Sequence, residues 1–160
     1  MMRIECATGS VLTLDVASLV GIDLSGRNLH RALLGDATLR GARLRKCDLR
    51  GAWLDRADLT DADLQDAKLM TASMREVVLV RGVLVRAGLN GADLTCANLA
   101  GADFRGANLW GACLKGARLV DADLRETILT EAECEGAVAS SRTRWPANYV
   151  PEAHGVRLGM

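Results

Sequence analysis

The sequence predicts an all-β solenoid, a chain wound into four-sided coils that stack as a parallel β-helix, and three observations predict it. Every fifth residue from Leu14 to Cys134 is apolar: of these 25 positions 22 are leucine, and the others are Met74, Phe104 and Cys134. Two residues before each of them sits a second inward candidate, which is alanine at 18 of the 25 positions. Only five residues are aromatic, Trp53, Phe104, Trp110, Trp145 and Tyr149, too few to fill the space between the layers of an ordinary globular domain.

A period of five fits neither regular element. Five residues turn a helix so that successive leucines lie ~140° apart, and five steps along a strand put them on opposite faces. If the chain instead turns a corner once per pentad, every register residue faces one axis with its alanine beside it, and four pentads close one coil. Stacked at the strand spacing of ~4.8 Å, the backbone amides bond to the coils above and below, and the pentads make about six coils. Leu44, Leu64, Leu84, Phe104 and Leu124, one coil apart, form one inward core column.

In chain order, residues 1–12 precede the repeat and are expected to cover or complete the first coil, whose amides would otherwise lie unpaired. Residues 13–137 form the β-helix. Its outward positions carry Asp or Asn before the leucine, as at Asp58, Asp63, Asp93 and Asn98, and glycines such as Gly41, Gly51 and Gly101 where the chain must turn sharply. Val77, Gly82, Cys47 and Thr127 are tolerable departures in the alanine column. Residues 138–160 bring the bulk that the coils avoid. Trp145, Pro146 and Tyr149 are therefore read as a cap over the final coil around Leu129 and Cys134, or as a dimer contact.

Segments such as Ala57-Asp58-Leu59-Thr60-Asp61, Ala92-Asp93-Leu94-Thr95-Cys96 and Ala102-Asp103-Phe104-Arg105-Gly106 resemble the A-(D/N)-L-x-x motif of the pentapeptide-repeat family. The tail, Thr143-Arg144-Trp145-Pro146 with Tyr149, Pro151 and His154-Gly155-Val156, is similar to a T-x-W-P ending found on repeat proteins of this family. The resemblance implies a right-handed, quadrilateral β-helix. It also implies a candidate partner, because the best-understood members bind type II topoisomerases such as DNA gyrase and protect them from quinolones, a form of antibiotic resistance.

Composition narrows the function classes. Lys plus Arg equals Asp plus Glu at 20 each, so no overall basic field attracts nucleic acid and no overall acidic field imitates it. No apolar run is long enough for a membrane span, and the first residues lack the pattern of a secretory leader, so a cytoplasmic protein is expected. The five cysteines show no C-x-x-C spacing, which argues against a disulfide framework or a zinc site. With two histidines and no nucleophile motif, the chain is read as no enzyme, with no catalytic, cofactor or metal residues. Asp103 and Asp123, stacked one coil apart, are read as part of a mixed ladder rather than as cation ligands.

What remains is a protein-binding surface. Its candidates are the outward Trp53 and Trp110, the β-branched belt Val78, Val80, Val83 and Val85, and the carboxylates Asp58, Asp61 and Asp63. Charge is banded along the axis: Arg27 to Arg50 holds seven basic and two acidic residues, Asp55 to Asp66 one and five, and Asp121 to Glu135 one and six. The expectation is a non-enzymatic rod that binds another protein, a type II topoisomerase or, in the alternative, a scaffold component that self-associates as a homodimer.

Overall fold

The computed structural model describes residues 2–15 and 17–159; Met1, Val16 and Met160, at which the expected segments 1–12, 13–137 and 138–160 begin, continue or end, lie outside the described residues. Along the repeat, parallel bridges join residues one coil apart and recur at every pentad, so they fall into four columns. Side a carries Asp23, Arg43, Asp63, Val83, Asp103 and Asp123; side b carries Asn28, Asp48, Lys68, Gly88, Asn108 and Ile128. Side c carries Leu33, Trp53, Ser73, Asp93, Cys113 and Glu133; side d carries Thr38, Asp58, Val78, Asn98, Arg118 and Val138.

Each corner is a hydrogen-bonded turn from a register carbonyl to the alanine amide of the next pentad, as in Ala42 N to Leu39 O at 3.0 Å and Ala62 N to Leu59 O at 3.0 Å. The residue before that alanine has φ near +60°, as at Gly41, Gly51 and Gly101. A type II turn requires this at its third position, which is why glycine recurs there. Arg56, Asp61, Asp66, Arg81 and Arg86 occupy the same corner position with φ between 55° and 58°, so side chains are kept there in spite of the strain.

Inside, Leu44, Leu64, Leu84, Phe104 and Leu124 are buried, with the alanine column beside them. Burying one leucine contributes ~2 kcal/mol against the entropy of ordering its pentad. The departures are accommodated individually. Cys47 Sγ donates to Leu24 O at 2.8 Å and Thr127 Oγ1 to Leu124 O at 2.6 Å. At Gly82 an added Cβ would lie 2.7 Å from Leu79 Cδ2, so the Leu79 side chain occupies the space that alanine takes in other pentads and would have to shift to admit one.

The ends depart from the repeat. Strands β1 (Met2–Glu5) and β2 (Val11–Leu14) form an antiparallel hairpin, so Leu14, where the sequence period begins, lies in a hairpin strand and is only half-buried. The hairpin reaches side c of the first coil through Leu33 N to Glu5 O at 2.7 Å and Ala7 N to Arg31 O at 2.9 Å, and it buries Ile4 and Cys6. At the other end the inward register continues past Cys134 to the buried Ala139. Between Val138 and Arg144 one residue is added to the spacing, because Arg118 bridges Val138 but Asp123 bridges Arg144. Thr143 and Trp145 thereby take the small and the large inward positions of a further side. Strand β3 (Val138–Ala139) pairs in parallel with β4 (Arg157–Leu158), after a short 3-10 turn at Pro151–His154.

Candidate functional site

The aspartates and asparagines that precede the leucines have a local task. Their side-chain oxygens accept the N–H two residues on, as in Thr60 N to Asp58 Oδ1 at 3.0 Å, Gln65 N to Asp63 Oδ1 at 3.0 Å and Trp110 N to Asn108 Oδ1 at 3.0 Å. These are Asx turns that satisfy an outward amide in the pentads that carry them.

Residues of the first two charge bands pair across coils. Asp36 binds Arg56, Asp61 binds Arg81 and Asp66 binds Arg86, each through two guanidinium hydrogen bonds between corner residues one coil apart. Arg40 reaches Asp58 at 3.3 Å and Arg45 reaches Asp63 at 3.4 Å. All three carboxylates expected to face a partner thus have partners inside the chain. The Arg81 hydrogen bonds hold Asp61 below the usual carboxylate range. Burial pushes Asp58 up, but the Thr60 hydrogen bonds and the Arg40 charge outweigh it and leave it low. Asp103 and Asp123 are held by Arg105 and Arg125 in the same pentads, and no group of metal-ligating side chains forms among the described residues. No helix among them is long and apolar enough to cross a membrane.

The outward valines Val78, Val80, Val83 and Val85 are half-buried by neighbouring coils rather than forming an open belt. The tryptophans are more open. Trp53 is 41% exposed; its indole lies over Gly35, where a Cβ would sit 2.7 Å from Cζ2, and it bridges Leu33, itself 46% exposed. Trp110, 46% exposed, lies on side b beside the column of Ile128, 48% exposed. Sequence reasoning missed Leu33 and Ile128. Both stand where other pentads carry a polar residue before the leucine, and that mismatch was the available signal.

At the C-terminal end Trp145 stacks on Tyr149 with ring centroids 5.1 Å apart, and Tyr149 stacks on His154 at 4.6 Å. Tyr149 Oη donates to Cys134 Sγ at 3.5 Å; burial foremost, with that contact, pushes the phenol upward. Beside this stack a cleft of about 410 Å³ opens between Thr127, Leu129, Thr130 and Glu131 on side b and Pro146–Tyr149 with His154. A smaller one, about 380 Å³, lies at the opposite end between Cys6–Ser10 and Asn28 with His30.

The sequence model described as pentapeptide repeats (8 copies) matches residues 17–54, 39–76, 83–119 and 117–141. Among solved structures the chain is similar to Rfr23, a pentapeptide repeat protein from the cyanobacterium Cyanothece 51142. The identity is 28%, over 79% of this chain and 89% of that one, with a TM-score of 0.59. It is similar to alr5209, a pentapeptide repeat protein from Nostoc PCC 7120, at 33% identity over 67% and 84% of the two chains, with a TM-score of 0.38. QnrB1, a plasmid-mediated fluoroquinolone resistance protein, is 16% identical over 86% of this chain and 79% of its own, with a TM-score of 0.42. Among curated proteins none matches this chain.

Proposed function

The chain belongs to the pentapeptide-repeat family, and from that premise we propose that it is a non-enzymatic rod that binds another protein through its outer sides. We take the β-helix as right-handed and quadrilateral with about six coils, entered through 1–12, built by 13–137 and closed by a capping tail at 138–160, in a cytoplasmic protein. The observation that carries the reading is the fate of the outward residues. Polar ones are mostly consumed by Asx turns and ion pairs of the repeat itself, whereas Leu33 with Trp53 and Trp110 with Ile128 stay open on adjacent sides. Exposed tryptophan is the residue type most enriched where binding energy concentrates.

A type II topoisomerase is the specific partner in this reading, and a self-associating scaffold is the alternative. Because Asp58, Asp61 and Asp63 are paired internally, contact through tryptophan fits the molecule better than an acidic face. Affinity capture from the native host, with wild type and a Trp53→Ala/Trp110→Ala variant of equal melting temperature, tests the proposal. A partner held by wild type and lost by the variant supports it; equal capture by both removes the tryptophans from the interface. Purified gyrase and topoisomerase IV then separate the two partners. Altered supercoiling, or relief of poison-induced cleavage at stoichiometric amounts, identifies a topoisomerase, and silence at large excess leaves the scaffold.

A further inference from the structure

The last layer of the β-helix is incomplete, and side b has no strand in it. Within the coils, register and corner amides donate to the coil above, as Leu109 N does to Ile128 O and Gly111 N to Thr130 O, and each alanine-column carbonyl accepts from it, as Ala107 O does from Ile128 N. Above the final full coil the tail supplies such partners on sides a and d, and on side c only at the corner amide. On side a, Leu124 N reaches Arg144 O; on side c, Gly136 N reaches Gly155 O; on side d, Arg157 N reaches Ala137 O. On side b the chain leaves the layer at Pro146. There, among the described residues, Leu129 N–H, Glu131 N–H and Thr127 C=O have no hydrogen-bond partner.

These same residues wall the 410 Å³ cleft, with Pro146 to Tyr149 opposite. Leu129 is 8% exposed, whereas the register leucines from Leu24 to Leu124 are at most 3%. Two acidic corner residues of this edge are also unpaired among the described residues. Asp36, Asp61 and Asp66 each carry an arginine from the corner one coil above. Glu131 and Glu126, at corners of the open edge with φ of 60° and 62°, form no salt bridge among the described residues.

We infer that this edge takes up an extended, basic segment of a partner protein as an added parallel β-strand, which completes side b of the last layer; the inference rests on the protein-binding reading above. The repeat's own rules specify the occupant. Its central aliphatic side chain lies over Leu129. The residue before that one donates its N–H to Thr127 O and accepts from Leu129 N. The carbonyl after it accepts from Glu131 N, and an arginine two residues past the centre meets Glu131 as Arg81 meets Asp61. Ile128 and Trp110 flank the strand on the outside.

The probe is a fluorescein-labelled peptide, Ala-Thr-Leu-Thr-Arg with Gly-Ser at both ends, titrated against the full chain by fluorescence anisotropy. Saturable binding is expected. N-methylation of the first threonine, Arg→Glu in the peptide, or Glu131→Arg in a protein of unchanged melting temperature should each weaken it about tenfold. Glu76→Arg, remote from the edge, should leave it unchanged. A peptide that fails to bind, or an N-methylated peptide that binds as well as its parent, overturns the inference. So does concentration-dependent self-association in light scattering that the peptide cannot displace, which would make a second copy the occupant. Capture from the host separates this site from the broader reading: a partner lost with Trp53→Ala/Trp110→Ala but held fully by Glu131→Arg leaves the binding rod standing and removes the edge.

Discussion

Aspartate does two jobs in this repeat, and position decides which. Before the leucine it accepts the N–H two residues on; at the corner it binds an arginine one coil above. The exposed corner pairs are individually worth little, but they recur, and the Asp36, Asp61 and Asp66 carboxyls are all held below the usual carboxylate range, chiefly by the arginine hydrogen bonds. For groups lowered in the folded state, the stabilisation is present above the unfolded pKa and is lost as pH falls through the folded value. The melting temperature should therefore be flat from about pH 8 to pH 5 and fall below about pH 4. A thermal melt monitored by circular dichroism measures this, and an unchanged midpoint at pH 3 would show that the pairs contribute nothing.

At the scale of the pentad, one side of a coil buries one large and one small residue and turns once. Leu64 lies in the middle of the stack with no exposure, between Leu44 and Leu84 of the same column. A carboxylate there would have neither water nor a partner, a cost of several kcal/mol. Leu64→Asp is accordingly expected to abolish the cooperative β-type melt. A variant that keeps the wild-type spectrum and midpoint would contradict the inward register. At Gly82 the Leu79 side chain fills the space of the missing Cβ.

Over the whole molecule the coils are covered unequally at their two ends. An antiparallel hairpin pairs with side c of the first coil, and the tail, with its Trp145–Tyr149–His154 stack, pairs with sides a and d of the last coil and with the corner of side c, and leaves side b unpaired. Removing residues 140–160 takes away Arg144, Trp145 and β4 together, which uncovers Leu124, Leu129 and Cys134 and frees their amides for another chain. The coils should remain folded, while light scattering should reveal concentration-dependent association. If mass and melting temperature match those of the full chain, the tail does not cap the rod.

The five-residue period determined the coil, its inward columns and its corners, because side-chain direction in a stacked coil depends only on position within the pentad. It also carried the corner ladder, although only on overlaying residues one coil apart, where Asp36 meets Arg56 and Asp61 meets Arg81. The tertiary structure alone decided which outward groups stay available. Whether Asp58 is free depends on the rotamer of Arg40 in the coil below, and whether Val80 is open depends on its neighbours along the column. It also decided the ends. Leu14 keeps the period but pairs in a hairpin, and the residue added between Val138 and Arg144 brings Trp145 into register while the chain leaves side b without a strand. A periodic sequence states what each position prefers inside a stack, and only the fold determines where the stack stops and which edge it leaves unpaired.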